Sequence, residues 1–144
     1  MKKKEFTKNL TKVGFCSMAC DAEIHEDEIK KLKQITEKDF YFKDYELSTE
    51  IDSLEKEFKK KGILLIEDIL NQQVDLNYSE SQKIILIEIS IGIIKADRKI
   101  EKEEIDFVNQ LIINLKIPSY IIDLRFGKWD SIDKKEITSS SKNK

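Results

Sequence analysis

The sequence predicts an all-α fold, a single-domain bundle of about seven helices. Three observations lead there. The chain has 144 residues with only 4 Gly and 1 Pro, too few for the tight turns of an all-β domain. Its apolar residues recur at helical rather than alternating spacing. One helix–turn–helix segment occurs twice, so the bundle carries an internal duplication.

Each element follows from local signals. Helix 1 is predicted from about Lys4 to Cys20, with Phe6, Leu10 and Val13 and then Cys16 or Ala19 on its inner face. Helix 2 covers about Glu26 to Lys38 and turns Ile29, Leu32 and Ile35 inward. The aromatic stretch from Asp39 to Leu47 has no clear period and reads as a linker packed on the core. Ser48 is the predicted N-cap of helix 3, which carries Ile51, Leu54 and Phe58 on one face and stops at Gly62. Helix 4 follows from Ile63 to Gln73.

Ser79 and Gln82 have the three-residue spacing of a capping box for helix 5, Glu80 to Ala96. That segment is β-branched almost throughout and suits a buried strand by propensity. No second strand is evident to pair with it, and a central helix surrounded by neighbours is apolar on most sides. Helix 6 spans Lys102 to Leu115, and Pro118 suits the first turn of a short helix 7 through Leu124. Trp129 is expected to clamp the end of a domain running over residues 1–130, and residues 131–144 read as a polar, disordered tail.

Charge and composition exclude several functions. With 26 basic and 28 acidic groups the net charge is −2, so no field suited to nucleic acid follows. No apolar region follows the N-terminal lysines, which argues against a signal peptide. The apolar run Ile84–Ile94 is too short to span a bilayer. The expected compartment is the cytoplasm, where Cys16 and Cys20, four apart on one helix, stay reduced and buried. No Gly-rich phosphate loop is present, and His25 is the only histidine. The chain is therefore not read as an enzyme.

The duplicated unit carries the functional argument. Cys20-Asp21-Ala22-Glu23-Ile24-His25-Glu26-Asp27-Glu28-Ile29 matches Ala96-Asp97-Arg98-Lys99-Ile100-Glu101-Lys102-Glu103-Glu104-Ile105 at a constant offset of 76 positions. The match extends outward to Leu32 opposite Val108 and Phe15 opposite Ile91. In each copy an Asp leaves one helix, an Ile anchors the turn, and a Glu falls in the first turn of the next helix, facing the positive end of its dipole. Two readings stay open. In one, the turns converge and Asp21, Glu23, Glu28, Asp97 and Glu104 offer oxygens to a divalent cation such as Ca²⁺, Mg²⁺, Mn²⁺ or Zn²⁺. In the other, Glu28 and Glu104 reach back to backbone N–H groups as helix caps. An EF-hand is excluded, because its closing Glu would fall on Leu32 or Val108. A di-iron bundle is excluded because Ala22, not Glu, stands three residues before His25.

At these residues the chain resembles the TerB-like family, named for tellurite-resistance protein B, and the similar modules beside J-domains in some membrane-tethered co-chaperones. The resemblance covers about Phe6 to Leu124. It implies seven helices with internal duplication, a cytoplasmic stress-associated role without catalysis, and metal or ligand binding at the acidic turns. Asp21 and Asp97 match the family's turn Asp, Glu28 and Glu104 its early-helix Glu, Glu23 its further acid, and Ile24 and Ile100 its anchor. The Gly of the family motif is Ala22 and Arg98 here, and Lys99 replaces an acid. Those two cations make any metal site lean on the first copy. The role expected is a binding or scaffold module with a protein partner. The alternative is a protein–protein interaction module whose acidic turns are purely structural caps.

Overall fold

A computed structural model describes residues 1–20, 26–37, 46–96 and 100–130. They form seven helices: α1 (Lys3–Ala19), α2 (Glu26–Glu37), α3 (Leu47–Lys61), α4 (Ile63–Gln72), α5 (Glu80–Ala96), α6 (Lys102–Asn114) and α7 (Ser119–Phe126). No strand occurs among the described residues. The aromatic segment at 40–45, the Lys38 end predicted for helix 2 and the tail at 131–144 lie outside them.

The centre of the bundle is α1 against α5. Their N-terminal ends lie together. The Phe6 ring meets Tyr78 edge-on with centroids 6.0 Å apart, and the Met1 carbonyl accepts from the Gln82 amide at 2.8 Å. Further along, the two helices cross. Ser17 Oγ lies 2.9 Å from Ser90 Oγ, and Gly14 leaves room for Ile93 and Leu32. A Cβ on Gly14 would stand 3.2 Å from Ile93 Cδ1 and 3.3 Å from Leu32 Cδ1, so this glycine sets how closely α1 approaches α5 and α2. Ser90 follows Gly14, and Ile93 follows Ser17, by the same 76 positions that separate the two acidic segments in the sequence.

The remaining helices enclose this pair. Both α2 and α6 pack against both α1 and α5, while α3 and α4 pack against α1. Leu32 of α2 and its counterpart Val108 of α6 are both fully buried. The strand alternative for α5 fails on its own periodicity. A strand would put Ser90 on the same face as Glu88 and Gly92, yet Ser90 is fully buried and the other two are exposed. Buried polar groups are satisfied. Gln73 donates to the Ile69 carbonyl at 2.9 Å and accepts from the Tyr78 hydroxyl, and Asn114 donates to the Leu70 carbonyl at 2.8 Å, tying α6 to α4.

Helix ends follow the sequence with two corrections. Ser79 and Gln82 close their capping box at 2.9 and 3.1 Å. Gly62 ends α3 at a φ of 58°. However, α3 begins at Leu47 rather than after Ser48, with Glu46 at the N-cap and no side-chain cap bond. Leu47 is buried one turn before Ile51, so the apolar stripe starts a turn early and burial outweighs the missing cap. Pro118 is the N-cap of α7 with extended backbone, ψ 143°, not a residue of its first turn. Trp129 is buried in the common core, as expected of a terminal clamp.

Candidate functional site

The site is built from the ends of α1 and α5. Because the two helices share their N-terminal sides and then cross, their C-terminal ends leave on one side. Cys20 lies three residues past Ser17, and Ala96 three past Ile93, a rise of about 4.5 Å beyond the crossing contacts in each case. The two acidic turns begin from these neighbouring ends.

The turns themselves are only partly described. Asp21, Glu23 and Asp97 lie outside the described residues, as do Ile24, His25, Arg98 and Lys99. Glu28 belongs to α2, but its side chain lies outside the description. Glu104 is the expected ligand that is described, half-buried in the first turn of α6. Its Oε1 accepts the backbone N–H of the N-cap residue Glu101 at 2.8 Å, as in a capping box. Ile100, the expected anchor of the second turn, is buried, which fixes the direction in which α6 leaves the turn. Glu101 and Glu103 are exposed beside it. Among the described residues no group of three His, Cys, Asp or Glu stands close enough to hold an ion.

Behind the first turn, Cys16 and Cys20 are buried free thiols, as the sequence predicts. Burial pushes the Cys16 thiol well above its ordinary range, and neighbouring Cys20 adds to the rise. Cys20 Sγ donates to the Ser17 carbonyl at 3.4 Å. Cys16 is therefore a protonated thiol of the core.

Two surface clefts were not legible in the sequence. One, of about 420 Å³, lies between the first turn of α5 and helix α7, with Ile84, Ile117, Ile121 and Leu124 as its apolar lining and Glu80 and Arg125 as its charged lining. The other, of about 440 Å³, lies on the opposite face of α7, between Asn109, Ile112, Ser119 and Trp129. The signal for the first was faint: Ile121 and Leu124 stand three apart on a short helix, the first half-buried and the second exposed.

No helix among the described residues is long and apolar enough to cross a membrane. No curated protein and no solved structure matches the chain. A family model described as tellurite resistance protein TerB matches residues 9–121. That span begins within α1, takes in both copies of the acidic turn and ends in α7, and on it the chain belongs to the TerB family.

Proposed function

We propose that this chain is a non-catalytic binding and scaffold module of a cytoplasmic, tellurite-resistance-related stress response, and that its paired acidic turns hold a divalent cation. The observation that supports this reading is the shared exit of α1 and α5, with Cys20 and Ala96 leaving one side of the crossing. Asp21, Glu23 and Glu28 of the first copy are its principal ligands. Asp97 and Glu104 of the second copy complete the oxygen set. Glu104 Oε1 already accepts the Glu101 amide, so an ion bound there would share this carboxylate with the helix cap. A hard cation such as Ca²⁺, Mg²⁺ or Mn²⁺ suits an all-carboxylate set better than Zn²⁺ does. Calorimetric titration of the chelator-treated chain with each cation tests the proposal. Heat for one hard cation, lost in the Asp21→Asn/Asp97→Asn double variant, is expected. Equal binding by the double variant would show that the turns are not the site.

A second reading is favoured by one contact. The Glu104–Glu101 bond is sufficient reason for a glutamate at that position without any ion. In that reading the chain is a protein-interaction module and the acids are caps. No heat with any cation would select it.

A further inference from the structure

The cleft between the first turn of α5 and helix α7 joins an aliphatic wall to one unpaired cation. Along α7, Ile117, Ile121 and Leu124 follow at the four- and three-residue spacing of one helix face, and Ile84 of α5 lines the other side. The wall grades from Ile117, 7% exposed, to Leu124, 79% exposed. No aromatic ring lines the cleft, and Ser81 is its one neutral polar side chain.

The two charged residues of the lining are not equivalent. Glu80 pairs with Lys83 at 3.2 Å, and its side chain is 83% exposed, so its charge is both neutralised and turned to water. Arg125, exposed in the last turn of α7, makes no ion pair or hydrogen bond among the described residues. The charges around the cleft do not reverse this. Lys116, exposed beside Ile117, adds a positive one. Asp123 and Lys128 line the other cleft, on the opposite face of α7. Glu88, one turn past Ile84, is exposed and outside the lining. The balance at the cleft is positive and centred on Arg125.

We propose that this cleft binds a fatty acid, with the carboxylate on the Arg125 guanidinium and the alkyl chain along Leu124, Ile121 and Ile117. From Arg125 back to Pro118, α7 rises about 10 Å, the length of an extended chain of about eight carbons. A volume of about 420 Å³ suits a small molecule. An alkyl chain has no polar groups to satisfy. A peptide laid in the same place would turn N–H and C=O groups toward a wall whose one neutral polar side chain is Ser81.

The test is an NMR titration of the full isotope-labelled chain with hexanoate, octanoate and decanoate, each kept below its micelle concentration. Amide shifts are expected at Ile84, Ile121, Leu124 and Arg125. Binding should tighten about fivefold for each two carbons added, because the open cleft covers one side of the chain, and should level off past about eight to ten carbons. Arg125→Gln should weaken octanoate about tenfold and leave octanol unchanged, while Leu124→Ser should weaken both. Both residues are exposed, so the spectra of the variants should otherwise match the parent. No shift in the cleft would overturn the proposal. So would octyltrimethylammonium binding as tightly as octanoate, or octanoate binding indifferent to Arg125→Gln. Equal shifts at exposed Leu64 and Ile113 would mean adsorption to any apolar surface, and would overturn it as well. An acetylated peptide ending in a free leucine carboxylate, bound more tightly than octanoate, would assign the cleft to a protein C-terminus, with the same consequence.

Discussion

The hydroxyl of Ser17 lies 2.9 Å from that of Ser90 at the crossing of α1 and α5. Ser17 is also 2.9 Å from the Val13 carbonyl. With one proton, Ser17 donates to that carbonyl, so Ser90 donates to Ser17. The pair is fully buried and fits only because both side chains are small. Replacing Ser90 by Ala should cost about 0.5–1.5 kcal/mol. Replacing Gly14 by Val, beside the same crossing, should cost about 1–3 kcal/mol through overpacking against Ile93 and Leu32. Urea unfolding of the two variants checks both values. Parent-like stability in Gly14→Val would mean that the crossing is looser than these contacts imply.

Glu104 separates structural from ligand roles. As a cap it accepts the Glu101 amide, so Glu104→Ala should lower stability by about 1 kcal/mol without any cation present. Glu104→Gln keeps an acceptor oxygen and should restore most of that loss, while removing the charge offered to an ion. A thermal melt of the two variants in chelator, compared with melts in added cation, reads the roles apart.

Much of this architecture was legible in the residues. The seven helices follow from apolar spacing, and Leu32 and Val108, 76 positions apart in the sequence, are both buried. Gly62 and the Ser79–Gln82 pair mark helix ends through local chemistry that spacing reveals. The start of α3 was hidden, since burial of Leu47 overrides a good capping residue at Ser48. The Ser17–Ser90 contact was also hidden, because a pairing across 73 residues leaves no local trace. Of the expected ligand set, Glu104 could be placed, and it occupies the cap position that its spacing also predicted.

Lys116 takes a left-handed conformation, φ 59°, just past the end of α6. Its N–H donates to the Ile113 carbonyl at 3.0 Å, and the Ile117 N–H to the Ile112 carbonyl at 3.2 Å, which is the pattern of a Schellman turn. A side chain there costs about 1 kcal/mol relative to glycine. Lys116→Gly should therefore raise stability by about 0.5–1 kcal/mol, seen as a higher urea midpoint with an unchanged slope. A lower midpoint would show that the lysine side chain contributes more than its backbone strain removes.

Stability should fall in alkali. Cys16 and Tyr78 both have their ionisation pushed up by burial, from ordinary values of 9.0 and 10.0. Above those values the unfolded chain releases protons that the folded chain retains, so ionisation favours unfolding. Between pH 9 and 10 the loss from Cys16 should approach about 1.4 kcal/mol per pH unit, and above that Tyr78 adds to it. Cys16→Ala should flatten the first part of that slope. A pH series of urea melts measures it, and a slope equal to the parent's would mean that Cys16 ionises normally in the fold.

The central claim is tested most directly by the melting temperature of chelator-treated chain with Ca²⁺, Mg²⁺, Mn²⁺ or Zn²⁺ added singly, in the parent and in Asp21→Asn and Asp97→Asn separately. A cation at about 100 times its dissociation constant adds about 2.7 kcal/mol. That should raise the midpoint by about 5–10 °C in a domain of this size. One site shared by both turns predicts a selective rise in the parent that is lost in Asp21→Asn and much reduced in Asp97→Asn. No rise with any cation, or a full rise kept in Asp21→Asn, would contradict the claim.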